Sequence, residues 1–410
     1  MITQLPIDLI SDILARLPAK TLIRLKIVCK SLYILISDAD FANHHLERSI
    51  STNSNLHYVV KTPRMYLQEY AHLPKPHKQS CPVLHSADFD SLDNPRELSH
   101  PFKECKTGVW VLGSCRGLLL LRAGYGHLLY NPTTQTYNVL PFLSVYEPAR
   151  SYGHHDYGFG YVSVAKDYKC VRIMQCYFKE VDDLLCEVMV YSMKMNCWKR
   201  APDVPCYFRP CGWSVGALLH ESFHWVGTNR DNEYELIVAF SLRDETFNCL
   251  PLPNFRFEQY DAMYMGTLDD CLCLLVNNYR LCTVWVMKEY GVVGSWTMMY
   301  SVEKARCYNL ERPISYSVDK KRLLVRKTLC MLTYIDLETM ESTDVMFTGW
   351  ERGLDAHVYI ENLLMLDYNE FVINVGTKND QQGKTKKKRR RRRRRRNKRT
   401  SQGENAVERT

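Results

Sequence analysis

Two short motifs in the middle of the chain contain the residue types of hydrolytic active sites. His220-Glu221-Ser222-Phe223-His224 matches the H-E-x-x-H pattern, in which two histidines one helical turn apart bind zinc and the glutamate acts as a base. Gly216 and Gly227 bracket this segment, and ten residues between two glycines suit two short strands around a turn better than a helix. Because no third ligand stands out nearby, we expect a β-hairpin and no metal site.

The second motif, Gly212-Trp213-Ser214-Val215-Gly216, matches the G-x-S-x-G nucleophile elbow. That elbow needs a buried strand before the serine and a helix after it, and Pro210 is unsuited to a central strand. We also interpret His154-His155-Asp156 as loop residues, and Cys271 with Cys273 as buried thiols, because neither group has further ligands nearby. The sequence therefore predicts no catalytic residue and no cofactor.

Apolar residues recur at helical spacing in three short stretches at the N-terminus. Leu5, Leu9, Ile13 and Leu17 recur every four residues before Pro18. The pattern restarts at Leu22, Leu25 and Val28, and again at Leu32, Leu35 and Ile36. Because a chain of roughly 40 residues cannot bury this much apolar surface alone, part of it must meet another protein or the rest of this chain.

The N-terminal pattern also resembles a known family. The segments concerned are Leu5-Pro6, Asp8-Leu9-Ile10, Ile13-Leu14, Arg16-Leu17-Pro18, Val28-Cys29-Lys30-Ser31, Leu35-Ile36-Ser37-Asp38 and Phe41. Over residues 4 to 46 they look like an F-box of the plant type. The resemblance implies docking onto a Skp-type adaptor and, through it, onto the cullin of an SCF ubiquitin ligase. The alternative is a helical cap packed on its own domain.

The resemblance, together with the helical pattern, selects the residues that we expect to bind the adaptor. They are Leu5, Pro6, Leu9, Ile10, Ile13, Leu14, Leu17, Pro18, Leu22, Leu25 and Val28. Leu32 stands where such F-boxes usually have tryptophan. A smaller apolar side chain there is expected to thin the packing and weaken adaptor binding.

From about residue 105 the helical period disappears, and short apolar strands alternate with polar turns. This pattern is typical of an all-β sandwich, barrel or propeller. A strand–turn–strand unit begins at residues 130, 191, 240, 285 and 335, which gives spacings of 61, 49, 45 and 50 residues. Spacings of this size match one four-stranded propeller blade. We therefore predict a propeller of about six blades.

This region resembles the plant F-box-associated interaction domain. The residues that carry the resemblance are Gly113-Ser114-Cys115-Arg116-Gly117, Tyr130-Asn131-Pro132-Thr133-Thr134, Gly158-Phe159-Gly160-Tyr161, the block from Trp285 to Trp296, and Tyr359-Ile360-Glu361-Asn362-Leu363. Arg116 stands where asparagine is common in the family. The Trp285–Trp296 block is similar to that of pollen S-locus F-box proteins, although relatives outside that group carry it too. The resemblance implies substrate capture and identifies no substrate.

The C-terminal region is strongly basic. Residues 384–399 contain 14 Lys or Arg, and removing these charges from the net charge of +9 leaves −5 for the remaining chain. Like charges repel, and no apolar residues accompany them, so we expect a disordered tail. A nuclear import signal at Lys386, Lys387, Lys388, Arg389, Arg390 and Arg391, a contact for RNA or acidic lipid, and a merely solvated segment all remain open. Outside the tail, nucleic-acid binding is not expected.

The predicted architecture is α+β in total. It comprises an F-box of three short helices at 1–46, a linker and first strands at 47–104, an all-β propeller-like domain at 105–376 and a disordered tail at 377–410. No apolar run approaches the roughly 18 residues of a membrane span, and no secretory signal precedes the 16 cysteines, so we expect reduced thiols in the cytoplasm or the nucleus.

The predicted role is that of a non-catalytic substrate receptor of a ubiquitin ligase. Its unknown protein substrate is expected to meet long loops rich in Tyr, Arg and Phe. These loops are Pro141–Asp156, Lys179–Asp183, Pro202–Trp213, Asn254–Met263 and Tyr300–Pro313. The alternative is a protein-interaction scaffold that acts without ubiquitin transfer.

Overall fold

The computed structural model describes most of the chain between residues 6 and 366. The described residues are 6–62, 83–90, 92, 94–102, 108–124, 126–143, 152–178, 183–208, 213–229, 235–254, 261–303, 310–328, 330–350 and 352–366. The basic tail and its candidate import signal therefore lie outside the described residues, as does Leu5.

Four helices open the described chain: α1 (Ile7–Leu14), α2 (Ala19–Leu25), α3 (Lys30–Ser37) and α4 (Ala39–Ser51). Prolines stand directly before α1 and α2, where the missing N–H costs no helical hydrogen bond. The side chain of Asp38 begins α4 by accepting hydrogen bonds from the backbone N–H groups of Asp40 and Phe41, at 3.0 and 3.1 Å. This capped helix is additional to the three expected, and it continues beyond residue 46 because Phe41, Leu46 and its other inward-facing residues are buried.

The strands of the described residues form six sheets. The first strands of the chain are β1 (Leu56–Lys61), β2 (Leu84–Asp88) and β3 (Arg96–Glu97). Blade 1 contains β4 (Trp110–Cys115), β5 (Leu118–Ala123), β6 (Gly126–Tyr130) and β7 (Tyr137–Val139). Blade 2 contains β8 (Tyr152–Val162), β9 (Asp167–Phe178), β10 (Asp183–Ser192) and β11 (Cys197–Arg200).

The remaining strands complete the ring. Blade 3 and the short strands before it contain β12 (Tyr207–Phe208), β13 (Trp213–Val215), β14 (Ala217–Leu219), β15 (Ser222–Thr228), β16 (Glu235–Ser241) and β17 (Thr246–Leu250). Blade 4 contains β18 (Ala262–Leu268), β19 (Cys271–Asn277), β20 (Leu281–Met287) and β21 (Trp296–Glu303). Blade 5 contains β22 (Leu310–Tyr316), β23 (Arg322–Lys327), β24 (Met331–Asp336) and β25 (Ser342–Asp344), and β26 (Asp355–Ile360) follows.

Blade 6 is assembled from both ends of the described chain, in the order β26-β1-β2-β3. β26 pairs antiparallel with β1 in a register that places Asp355 opposite Lys61 and Ile360 opposite Leu56. This pairing completes blade 6, which closes the ring between blade 5 and blade 1. The prediction of N-terminal helices followed by an all-β propeller of about six blades is confirmed.

The repeat found in the sequence is the hairpin that joins the third and fourth strands of a blade. The units that begin at residues 130, 191, 240, 285 and 335 correspond to the hairpins β6–β7, β10–β11, β16–β17, β20–β21 and β24–β25. The core lies between neighbouring blades. One of its clusters packs Val171, Val190, Phe223 and Phe240 of blades 2 and 3 together, and all four are almost fully buried.

Strands β4, β8, β14, β18, β22 and β26 contact one another in this order around the ring and line a central cavity. We call the end of the ring where they begin the distal face, marked by Trp110, Leu310 and Asp355. The helices lie at the opposite end, where β26 finishes and Glu361 forms an ion pair with Lys20 of α2. The two ends of the propeller therefore have different surroundings.

A short segment after β26 ties the helices to the propeller. We call Glu361–Leu366 the C-terminal strap. Asn362 is fully buried, and its Nδ2 group donates to the carbonyls of Gly117 and Ile360, both at 3.1 Å. Its Oδ1 atom accepts from Asn131 Nδ2 at 2.8 Å and from the N–H of Leu364 at 3.0 Å. The strap is thus fixed against blade 1 by satisfied buried hydrogen bonds.

Gly117 makes room for this strap. Its φ is +78°, and a Cβ atom there would lie 2.0 Å from Asn362 Nδ2. Asn131 also donates to the carbonyl of Leu364 at 2.7 Å, and Thr136 Oγ1 accepts from the N–H of Leu366 at 3.1 Å. Asn131, in the motif from Tyr130 to Thr134, and Thr136 just after it therefore hold the strap in place.

Replacing Asn362 with alanine is expected to destabilise the protein. Asn362→Ala removes the hydrogen bonds of a buried amide to Gly117, Ile360, Asn131 and Leu364, so the free energy of unfolding should fall by about 2–4 kcal/mol. Chemical denaturation followed by tryptophan fluorescence measures this change. The matched control is Asn43→Ala on the exposed side of α4, expected within about 0.5 kcal/mol of the wild type. Equal stabilities of the two variants would contradict the role of the strap.

Candidate functional site

The H-E-x-x-H segment forms a hairpin, as the sequence predicts. β14 ends at Leu219, and His220 and Glu221 form the turn with φ values of +48° and +58°. The two rings therefore do not share a helix face. His224 Nδ1 donates to the carbonyl of Ala217 at 3.0 Å, and Nε2 accepts from the hydroxyl of Tyr290 at 2.8 Å. Burial lowers the pKa of His224 to about 4.

The other candidate motifs are also structural elements. Ser214 lies in β13, which pairs in parallel with β8 and is followed by β14 instead of the helix that a nucleophile elbow requires. Cys273 is buried in β19, and burial raises the pKa of its thiol well above the usual range, which makes it a poor nucleophile. Within the described ranges, no group of three His, Cys, Asp or Glu side chains has an arrangement that could hold a metal ion.

The helices carry a large exposed apolar surface. We call its members, Ile7, Leu9, Ile13, Ile27, Val28, Tyr33 and Ile34, the outer apolar surface. Each of these side chains is between 53% and 89% exposed. Soluble proteins seldom leave such a set of large apolar side chains together without a partner. This surface is therefore the strongest candidate for a binding site.

The opposite side of the same helices is packed. Leu14, Leu22, Leu32 and Ile36 are buried in one cluster that includes Leu363 of the strap. A helix with apolar residues on two sides has two surfaces to cover, and here one of them is covered by the chain itself. The helices thus form a layer between the propeller and an uncovered outer side.

The structure separates the residues predicted to bind the adaptor into three groups. The exposed group contains Pro6, Leu9, Ile13, Pro18 and Val28. The partly buried group contains Ile10, Leu17 and Leu25. Leu14 and Leu22 are buried in the inner cluster, to which the strap contributes Leu363. We assign these two residues to the packing of the helices.

Four exposed residues, Ile7, Ile27, Tyr33 and Ile34, were not selected from the sequence. Ile7 lies at the edge of the apolar half of α1, whose other half carries Asp8, Ser11 and Asp12, so the helical pattern itself was the available signal. Leu32, at the position where tryptophan is usual, is buried in the inner cluster. Its effect on an adaptor would therefore act through the packing of α3, and weaker binding stays a prediction.

Ion pairs fix the orientation of the helices on the ring. Glu361 in the strap is almost fully buried and pairs with Lys20 of α2, while His57 Nε2 of β1 lies 3.5 Å from Glu361 Oε1. Glu47 of α4 accepts two hydrogen bonds from the guanidinium of Arg116, one of them at 3.3 Å. The arginine that departs from the family pattern thus contacts α4.

Comparison with known families agrees with this arrangement. The F-box domain model matches residues 2–44, and the model of the F-box associated beta propeller domain matches residues 80–351. The chain is an F-box protein.

Two relatives from Arabidopsis thaliana match most of this F-box protein. It is similar to F-box protein CPR1, with 32% identity over 404 residues that cover 93% of both chains. It is also similar to F-box protein At4g22390, with 28% identity over 82% of this chain and 85% of the relative. No helix within the described parts of the chain is long and apolar enough to cross a membrane.

The five loops predicted to meet a substrate all connect strand ends at the distal face. For example, β7 ends at Val139 and β8 begins at Tyr152, and β21 ends at Glu303 before β22 begins at Leu310. The middle parts of these loops lie outside the described residues. Phe142 and Tyr279 are exposed at this face, far from the F-box helices.

The two sides of the F-box helices should respond differently to truncation. Leu22→Ala leaves a cavity in the inner cluster and is expected to destabilise the helices by about 2–4 kcal/mol. Ile27→Ala removes a side chain that is 89% exposed, so its effect should stay below about 0.5 kcal/mol. Amide hydrogen exchange of α1 to α3 measures both. A similar loss of protection in the two variants would contradict the division into inner and outer sides.

Proposed function

We propose that this F-box protein is the substrate-recognition subunit of an SCF-type ubiquitin ligase. The observation that carries the proposal is the outer apolar surface, which the chain leaves uncovered although the inner side of the same helices is packed. A partner with a complementary apolar groove would remove these side chains from water, and the F-box family identifies that partner as a Skp-type adaptor. The adaptor in turn connects the chain to a cullin.

The proposed contact set follows the exposed side chains. It contains the predicted Pro6, Leu9, Ile13, Pro18 and Val28, together with Ile7, Ile27, Tyr33 and Ile34. Ile10, Leu17 and Leu25 contribute only their exposed parts. The set spans α1, the residues after α2, and α3, so binding requires the helices to keep their relative positions. The strap and the Glu361–Lys20 ion pair maintain those positions.

The proposed mechanism is proximity. The propeller holds a target protein at its distal face, the F-box holds the adaptor at the other end, and the ligase brings a ubiquitin-conjugating enzyme near the target. The chain contributes no chemistry of its own. The buried contacts between strap, helices and blade 1 support a rigid spacer, which keeps the effective concentration of the bound target high. We place this activity in the cytoplasm or the nucleus.

Charges placed on the outer apolar surface should abolish adaptor binding. The double variant Leu9→Asp with Ile13→Asp would bury two unpaired carboxylates in an apolar interface, which should weaken binding by at least about 100-fold. Calorimetry with the purified adaptor measures the affinity, and circular dichroism verifies folding. Val318→Asp, at an exposed apolar position in blade 5, is the matched control and should bind normally. Unchanged binding of the double variant would remove the F-box assignment of this surface.

The scaffold alternative predicts a different outcome in a second assay. If the chain acts without ubiquitin transfer, the reconstituted complex of adaptor, cullin and this chain should not increase ubiquitination of co-purifying proteins. If it is a substrate receptor, the wild-type chain should increase that ubiquitination and the Leu9→Asp, Ile13→Asp variant should not. Affinity purification with ligase activity blocked, followed by mass spectrometry, supplies the target proteins for both arms.

The basic tail is proposed as a nuclear import signal centred on Lys386, Lys387, Lys388, Arg389, Arg390 and Arg391. The density of positive charge in the sequence supports this proposal. Deleting residues 384–399 from a fluorescent fusion should lower its nuclear fraction, and replacing them with a Gly/Ser segment of equal length controls for size. An unchanged nuclear fraction would leave the tail without an import role.

A further inference from the structure

One lysine at the distal face is buried without an ionic partner. Lys61, at the end of β1, is 9% exposed, and no carboxylate oxygen lies within 4.0 Å of its Nζ atom in the part of the chain that the structure describes. Its Nζ atom lies 3.9 Å from the centroid of the Trp110 ring, at the start of β4. Trp110 itself is 41% exposed. The ammonium group therefore sits under an accessible aromatic ring.

The charges around Lys61 do not neutralise it. Asp355 lies directly across the β1–β26 ladder, but its Oδ1 atom accepts from Arg312 Nη2 at 2.7 Å and lies 3.8 Å from Arg326 Nη1. Glu311 pairs with Arg326 Nη2 at 3.3 Å. Among the described residues, Lys61, Arg312 and Arg326 thus surround the carboxylates of Asp355 and Glu311, which leaves one positive charge in excess. Arg326 Nε is in addition buried with no hydrogen-bond partner among the residues that the structure describes.

An arrangement of this kind opposes folding. Burial of an ammonium group without a paired anion is costly, because the group loses its hydration and gains no equivalent interaction. Burial accordingly lowers the pKa of Lys61, although the nearby Asp355 opposes the shift. A methionine of similar length would fill the same space without this cost. The lysine is therefore better explained by an anion that arrives from outside than by the stability of the ring.

We propose that Lys61, with Arg312 and Arg326 beside it and Trp110 above it, binds a carboxylate of an acidic peptide segment in a protein substrate. This inference rests on the proposed function, in which targets meet the distal face. Trp110 would cover the apolar part of the peptide, and the guanidinium groups suit carboxylates because they donate in a planar fork.

The cavity next to the site is too small for a free metabolite of drug-like size. Arg312 also lines the central cavity, whose volume is about 220 Å³. Pockets that enclose drug-sized ligands usually exceed about 300 Å³, so the cavity is too small to hold such a ligand whole. We therefore expect the ligand to lie across the distal face and to place one acidic side chain against Lys61.

The test uses the full-length protein and two synthetic peptides, one rich in glutamate and one with glutamine at the same positions. A carbodiimide joins a carboxylate to an amine only where the two touch, and mass spectrometry then locates the linked lysine. Arginine does not react with a carbodiimide, so the arginine run of the tail forms no links. Links to the lysines of the tail are distinguished by the peptide in which mass spectrometry finds them. We expect a link from the glutamate peptide to Lys61 and none from the glutamine peptide.

Variants separate binding from structure. Lys61→Met should weaken binding of the glutamate peptide at least tenfold, as expected for the loss of one partner of a buried charge pair. The same change should raise the melting temperature, because it removes an unpaired buried charge. Lys320→Met, at an exposed lysine paired with Asp269, is the matched control and should change neither quantity. A purely structural Lys61 would give a lower melting temperature and unchanged affinity.

The outcomes distinguish this inference from the proposed function. Links confined to lysines of the tail, or equal affinity of Lys61→Met and wild type, would overturn the acidic-peptide site even if adaptor binding is intact. A peptide linked to Lys61 by a protein that fails to bind the adaptor would support the site and overturn the ligase assignment. A phosphoserine peptide that competes better than the glutamate peptide would overturn the carboxylate as the preferred anion.

Discussion

The pairing of β26 with β1 is the interaction on which the remaining structure depends. Five blades form from consecutive segments, whereas the sixth needs strands from both ends of the described chain. Without that pairing, β1 and the inner edge of blade 6 would expose unpaired backbone groups, which other chains could recruit. The strap follows β26 directly, so closure of the ring and attachment of the helices occur through one continuous piece of chain. The relative placement of the F-box and the distal face follows from this connection.

Buried polar groups at the two ends of β26 have opposite characters. At its C-terminal end, Asn362 and Asn131 satisfy each other and the neighbouring carbonyls, as expected where polar groups specify a unique arrangement. At its N-terminal end, burial alone would raise the pKa of Asp355, but Arg326, His357 and Arg312 hold it well below the usual range. Even so, a cation remains in excess there. The polar groups at the C-terminal end of β26 thus satisfy one another, whereas the excess positive charge at its N-terminal end is suited to an incoming anion.

Local patterns in the sequence were enough to predict the helices, the strand-rich region and the hairpin repeat. The turn at His220 and Glu221 was predictable from flanking glycines, because a glycine at each end limits a helix. The burial of Leu14 and Leu22 was not predictable, since their cluster includes Leu363, more than 300 residues further along the chain. Strand β1 and its register with β26 could not be predicted either, because the two strands come from opposite ends of the described chain. Lys61 gave no signal in the sequence, because its environment is created by strands of blades 1, 5 and 6.

The position of Leu363 has a consequence for biosynthesis. The F-box helices leave the ribosome before the blades, yet Leu363, which belongs to their inner cluster, is made after the last strand of the ring. Until then the nascent chain exposes both sides of these helices together with an open blade, which are the features that chaperones bind. A message truncated before codon 360 would yield a chain that cannot close, and its exposed surfaces would mark it for degradation. Completion of the inner cluster of the F-box helices therefore depends on complete translation.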